Sequence, residues 1–198
     1  MAEYFLTLPI SEEETRKLRI GDVVYLSGII YTARDMAHLK LKTLFENNQP
    51  LPYNFEGEAV FHAGPVCLKE NDSWNLNVIG PTTSIRMEPY AEFTGKIGVR
   101  FVIGKGGMGE GTREACKKYG YVYLQAAPGC AAKLAQGVRQ VKGVTWFDLG
   151  MPEAIWKLEV SNFGPLVVGM DTHGESIYSN VKQAATERMN HLYQQMIG

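Results

Sequence analysis

Ile97-Gly98-Val99-Arg100-Phe101-Val102-Ile103-Gly104-Lys105-Gly106-Gly107-Met108-Gly109 is the stretch from which the fold class follows. Its first half is rich in β-branched and aromatic residues and reads as a strand. Its second half is a glycine-rich turn around one lysine. A helix follows from about Glu110 to Lys118, and Tyr121-Val122-Tyr123-Leu124 is the next strand. Strand, turn, helix and strand in succession point to an α/β sheet. Gly104, Gly106 and Gly109 match the GxGxxG spacing of dinucleotide sites, but no acidic residue ends a strand about 20 residues on. The turn is not a phosphate loop either, because Gly106 stands where Ser or Thr belongs after the lysine. It reads as a flexible turn that carries one lysine to a ligand.

Upstream, Gly80-Pro81-Thr82-Thr83-Ser84-Ile85-Arg86-Met87 reads as a loop opening into a helix. Gly-Pro ends the preceding element and three hydroxyl residues offer caps. Arg86 lies within one helical turn of Thr82 and Thr83. Thr32-Ala33-Arg34-Asp35 repeats the pattern: it follows a strand at 23–32 and opens a helix with Met36, Leu39, Leu41, Leu44 and Phe45 on its apolar side. Ligands of α/β sheets gather at the carboxyl ends of strands. If the three junctions share one edge, Arg34, Arg86 and Lys105 converge, a set suited to a small dianion. The competing reading is surface cations at helix starts. It is weakened by the positive N-terminal dipole, which demands an acidic partner or a ligand beside each cation.

Around these junctions, Ser11-Glu12-Glu13-Glu14 forms a capping box. Ala59-Val60-Phe61-His62-Ala63 is a strand ended by Gly64-Pro65, and a turn at 70–73 leads into a strand from Trp74 to Ile79. Strands are expected at 141–147, 155–160 and 166–170, then a tight Asp171-Thr172-His173-Gly174 turn and a helix from about Ser179 to Met196. With no repeat or linker, one mixed α/β domain over residues 1–198 is expected.

The chain has 198 residues, 45% of them hydrophobic and 21% charged, with a net charge of -1. That near-balance gives no sign of a nucleic-acid coat or a polybasic membrane patch, and leaves room for specific binding through a few placed cations. No apolar run reaches the roughly 18 residues of a bilayer span, and the first residues lack a signal-peptide pattern, so a cytoplasmic protein is expected. Cys67, Cys116 and Cys130 are odd in number and widely spaced, which argues against a disulfide framework and for buried free thiols. No His/Cys spacing suggests a metal held by this chain alone. His62 reads as a core histidine, His173 as structural, and His38 falls one turn after Arg34, able to face the same site.

Taken together, Tyr31-Thr32-Ala33-Arg34-Asp35-Met36-Ala37-His38, His62-Ala63-Gly64-Pro65-Val66, Gly80 to Met87, and Gly104-Lys105-Gly106-Gly107-Met108 resemble class I (iron–sulfur) fumarate hydratases. They also look like the β subunit of L-tartrate dehydratase, and Gly150 to Trp156 and the Asp171–Gly174 turn are similar too. The resemblance implies a swivelling β/β/α domain. It implies half an active site, completed by an α subunit that carries a [4Fe-4S] cluster, with dimers of αβ units. It assigns substrate carboxylates to Arg34, Arg86, Lys105 and Thr83, and places Thr82 as the base beside the reacting carbon. A threonine hydroxyl is a weak base unless cations lower its pKa or it relays a proton. The implied reaction is hydration of fumarate to (S)-malate, with dehydration of L-tartrate to oxaloacetate as the alternative; His62 and Cys67 are candidates to tell the two apart. A non-catalytic dicarboxylate-binding or regulatory module is the remaining alternative.

Overall fold

The structure is a computed structural model that describes residues 1–197, with side chains to residue 195. In chain order the elements are β1 (Glu3–Thr7), α1 (Glu12–Thr15), β2 (Val23–Thr32), α2 (Asp35–Glu46), β3 (Ala59–Phe61), β4 (Ala63–Glu70) and β5 (Ser73–Pro81). A 3-10 turn at Ser84–Tyr90 leads to α3 (Ala91–Lys96), β6 (Phe101–Gly104), α4 (Glu110–Tyr119) and β7 (Val122–Ala126). The chain closes with α5 (Ala131–Ala135), β8 (Val138–Thr145), β9 (Ile155–Met170) and α6 (Ile177–Ile197). The mixed α/β class read from the sequence is the class observed.

The main sheet runs β1-β2-β3-β6-β7-β9-β8, and β2 also pairs with β9, so the sheet curls into a partial barrel. Strands β1, β2, β3, β6 and β7 are parallel; β9 is antiparallel to β2, β7 and β8. Parallel strands are covered on both faces, and the sequence shows it. Phe61, Phe101, Ile103 and Leu124 point into one hydrophobic cluster, whereas Val60, Val102 and Tyr123 between them point into a second under α2 and α4. Among the described residues no helix is long and apolar enough to cross a membrane.

The register positions the site. Thr32, Phe61, Ile103 and Leu124 are successive partners in one row across β2, β3, β6 and β7. The residues just beyond that row therefore emerge side by side at the carboxyl edge of the sheet.

Local expectations fail where tertiary contacts override them. Gly64-Pro65 does not end a strand: β4 continues through it and pairs with β5, Gly64 opposite Gly80 and Ala63 opposite Pro81. A Cβ at Gly64 would stand 2.8 Å from Pro152, so the glycine serves a close approach. The two strands expected at 155–160 and 166–170 are one bent strand. Its first half pairs with β8 and its second with β7, and Asn162 at φ 49° lies between the two. The edge strand β1 and the short helix α3 are not apparent from periodicity. Cys67 and Cys116 are buried as expected, but Cys130 is exposed at the start of α5.

Candidate functional site

Three junctions meet at the sheet's carboxyl edge. Ala33 N–H donates to Phe61 O at 3.0 Å, and His62 N–H donates to Ile103 O at 2.8 Å. Thr82 N–H then donates to His62 O at 2.7 Å, and Ser84 N–H to Lys105 O at 3.0 Å. Thr83 and Lys105 form a parallel β-bridge. Backbone hydrogen bonds thus stitch the Arg34, Thr82–Arg86 and Lys105 segments into one surface.

Each arginine has an acidic partner from this chain. Arg86 Nη2 lies 2.8 Å from Asp35 Oδ2 and donates to Thr82 Oγ1 at 3.2 Å. Arg34 Nε lies 3.1 Å from Glu153 Oε1, off the N–H direction, so the contact is an ion pair without a hydrogen bond. Glu153 also accepts from Met36 N–H at 3.0 Å and so serves the N-terminus of α2, where Arg34 offers no side-chain cap. Among the described residues no carboxylate lies within 4.0 Å of the Lys105 ammonium. Lys105 is half-buried and Thr83 exposed at the same edge.

The hydroxyl-capped helix expected after Gly80-Pro81 does not form. Pro81 completes β5, and Thr83 precedes a 3-10 turn without a side-chain cap bond. Ser84 points inward instead, 0% exposed, with its Oγ 3.0 Å from His62 Nδ1. Ser84 fills the space a side chain at residue 104 would need: a Cβ on Gly104 would collide with Ser84 Oγ. The N-terminus of α4 is not free for a ligand either. Glu88 accepts from Gly109 N–H at 2.7 Å, Thr112 N–H at 2.9 Å and Thr112 Oγ1 at 2.6 Å. Neither Glu88 nor Glu153 stands out in the sequence as a partner of these loops. The demand of Arg34 for an acidic partner was the available signal for Glu153.

Below the cations lie two buried histidines, their ring centroids 5.2 Å apart. His38 is packed under the site and does not face it. Its Nδ1 is 2.9 Å from Arg34 O, and since a carbonyl only accepts, that nitrogen carries the proton. Burial pulls the His38 pKa down to about 4. Burial, His38 and Arg86 together hold His62 well below the ordinary histidine range. Both rings are neutral at pH 7, which lets them sit under a cation cluster. His173, by contrast, stays in its turn, where its N–H donates to Asp171 Oδ1 at 2.9 Å. A cleft of about 580 Å³ between β5 and β8 lies at the turn end of β5, away from these side chains.

Residues 3–181 match the family described as Fumarase C-terminus. The chain belongs to that family. Within it, the chain is 42% identical over 192 residues to the L(+)-tartrate dehydratase subunit beta of Escherichia coli K12, covering 96% of this chain and 94% of the other. It is 48% identical over 185 residues to a Methanocaldococcus jannaschii chain provisionally named L(+)-tartrate dehydratase subunit beta, covering 92% and 95%. It is 44% identical over 187 residues to a Geobacillus stearothermophilus chain provisionally named fumarate hydratase class I, covering 93% of this chain and 35% of that one. The kinship read from the motifs is therefore borne out at the level of the Fumarase C-terminus family.

An iron–sulfur cluster does not fit the residues of this chain. A cluster is held by several thiolates. Here Cys67 and Cys116 are buried in separate hydrophobic clusters, and Cys130 is exposed on a third element. Burial pushes the Cys67 thiol up to about 11 and raises Cys116 further, against thiolate formation. Among the described residues no three His, Cys, Asp or Glu side chains are grouped to hold a metal ion.

Proposed function

We propose that this chain is the β subunit of a hydro-lyase acting on a four-carbon dicarboxylate, and that it supplies the carboxylate-binding half of a shared active site. The observation that carries the reading is the meeting of Arg34, Arg86 and Lys105, with Thr82 among them, at one sheet edge. Three cations face two resident carboxylates, which leaves positive charge and Lys105's donors for a dianionic substrate. In this reading Arg34 and Arg86 each grip a carboxylate, with Lys105 and Thr83 completing the cradle. Thr82 stands beside the carbon that exchanges a proton. The Arg86 hydrogen bond to its hydroxyl favours the deprotonated oxygen, which makes a weak base more competent. Residues 1–198 act as one unit in this scheme. A [4Fe-4S] cluster belongs to the partner α subunit, αβ units pair into a larger assembly, and the enzyme works in the cytoplasm.

L-Tartrate stands first as substrate and fumarate/(S)-malate second, the reverse of the order suggested by the motifs. The relatives matched nearly end to end carry the tartrate dehydratase name, whereas the fumarate hydratase relative is matched over only 35% of its length. Anaerobic co-expression with a cluster-bearing subunit, followed by assays on L-tartrate, fumarate and (S)-malate side by side, tests both points. Turnover of L-tartrate above the other two is expected. Dicarboxylate binding with no turnover in any complex would refute the enzyme reading.

A further inference from the structure

We infer that Tyr178, at the root of α6, is a positioning residue for Lys105; the inference rests on reading Lys105 as a ligand of a substrate carboxylate. The turn that carries Lys105 is intrinsically loose. Gly106 and Gly107 both have positive φ, 78° and 74°, in the region glycine reaches at little cost. Such a turn delivers a lysine to a defined point only if its neighbours hold it. One side is held by the Thr82–Glu88 segment, through the Thr83–Lys105 bridge and the Glu88 bonds to Gly109 and Thr112.

Tyr178 holds the other side. A Cβ added at Gly107 would stand 2.8 Å from three carbons of the Tyr178 ring, so the ring lies flat against the turn two residues from Lys105. The same ring covers Gly169 of β9, where a Cβ would stand 3.1 Å from Tyr178 Cε2. Its hydroxyl donates to Gln125 Oε1, and Gln125 is the β7 partner of Gly104, the residue before Lys105. The ring meets Tyr123 edge to face at 6.2 Å. Tyr178 therefore touches the turn itself, β7, which pairs with the strand before Lys105, and β9.

The rest of α6 does not share this duty. Every residue from 179 to 195 is exposed, while Ser176 is buried and Ile177 and Tyr178 are half-buried. The helix commits its first turn to the body, through Ile177 and Tyr178, and Tyr178 is the one that reaches the lysine turn. The family match also ends at residue 181, just past this anchor.

The test is a double-mutant cycle in the reconstituted αβ enzyme, with steady-state kinetics on L-tartrate and (S)-malate and thermal denaturation of each variant. Lys105→Met lowers kcat/KM by at least about tenfold. Tyr178→Ala lowers it by about tenfold to 100-fold, since a displacement near 1 Å costs that much. In the Lys105→Met background Tyr178→Ala has no further effect, because the group it aims is gone. Tyr178→Phe, which keeps the ring on Gly107, restores most of the rate. Tyr178→Leu, which removes the flat ring but keeps apolar bulk at the root of α6, shows the same dependence on Lys105 and stands in if Tyr178→Ala does not fold. Equal losses in both backgrounds, or a Tyr178→Ala enzyme at the wild-type rate, overturn the inference. A Lys105→Met enzyme at the wild-type rate overturns the carboxylate-ligand reading itself, and this inference with it.

Discussion

Arg86→Ala separates function from stability at one side chain. In the free chain the guanidinium is 44% exposed and its Asp35 partner 38% exposed. Exposed ion pairs contribute about 0–1 kcal/mol, because water and salt screen them. For a domain of this size 1 kcal/mol moves Tm by roughly 2–4 °C. The weak Thr82 bond at 3.2 Å adds little to that. The same guanidinium gripping a substrate carboxylate, shielded by the partner subunit, is a different case. Truncating one member of a desolvated charge pair costs about 2–5 kcal/mol. Each 1.36 kcal/mol is tenfold in rate, so kcat/KM falls by about 30-fold to several thousand-fold. Arg86→Lys keeps the charge but loses the planar two-pronged grip, and falls between. The assay is steady-state kinetics of the reconstituted enzyme on L-tartrate, with thermal denaturation of the isolated β chain in parallel. Kinetics within threefold of wild type would refute the placement of Arg86 on substrate. A Tm drop far beyond a few degrees would refute the argument that the resident ion pair is only weakly stabilising.

Gly104→Ala destabilises the chain because its Cβ collides with Ser84 Oγ; Ser84→Ala in that background recovers part of the loss, read by urea denaturation. His38 contributes a pH dependence whose sign follows from its lowered pKa. The unfolded chain takes up a proton near pH 6.5 and the folded one near 4, so stability is present above 6.5 and is lost as pH falls toward 4. Denaturation midpoints from pH 7 to 4 should decline, and His38→Gln should flatten the decline; His62 acts in the same direction. A small alkylating reagent under native conditions should label Cys130 and spare Cys67 and Cys116, by peptide mass spectrometry; labelling of Cys116 first would contradict its burial in α4.

Much of the site was legible because its residues sit at strand-to-helix junctions, which glycine, proline and hydroxyl residues announce locally. Arg34, Arg86 and Lys105 were identifiable as cations beside small polar residues and glycines, although only Arg34 stands at a helix start in the fold. Their acidic partners were not. Glu153 lies 119 residues from Arg34, and no local pattern ties the two. Glu88 is one charged residue among several until the fold sets Gly109 and Thr112 against it. Ser84 looked like a cap because hydroxyls favour helix starts. It became a buried partner of His62 because Gly104 leaves a gap that only a small inward side chain fills.

By itself the sequence determined the α/β class, the junctions that bear cations and the wide spacing of the three cysteines. These depend on period, composition and spacing, which are local or additive properties. Tertiary structure alone decided that the three junctions share one edge, because strand order and register are matters of long-range pairing. The row Thr32–Phe61–Ile103–Leu124 joins residues up to 92 positions apart along the chain. It also decided that β9 is one bent strand, since β7 and β8 each claim a different half of it. The stretch Ile97–Gly109 announced a strand and a glycine-rich turn around one lysine. Which neighbours hold it, Glu88 on one side and Tyr178 on the other, is a property of packing between segments that the chain brings together only when folded.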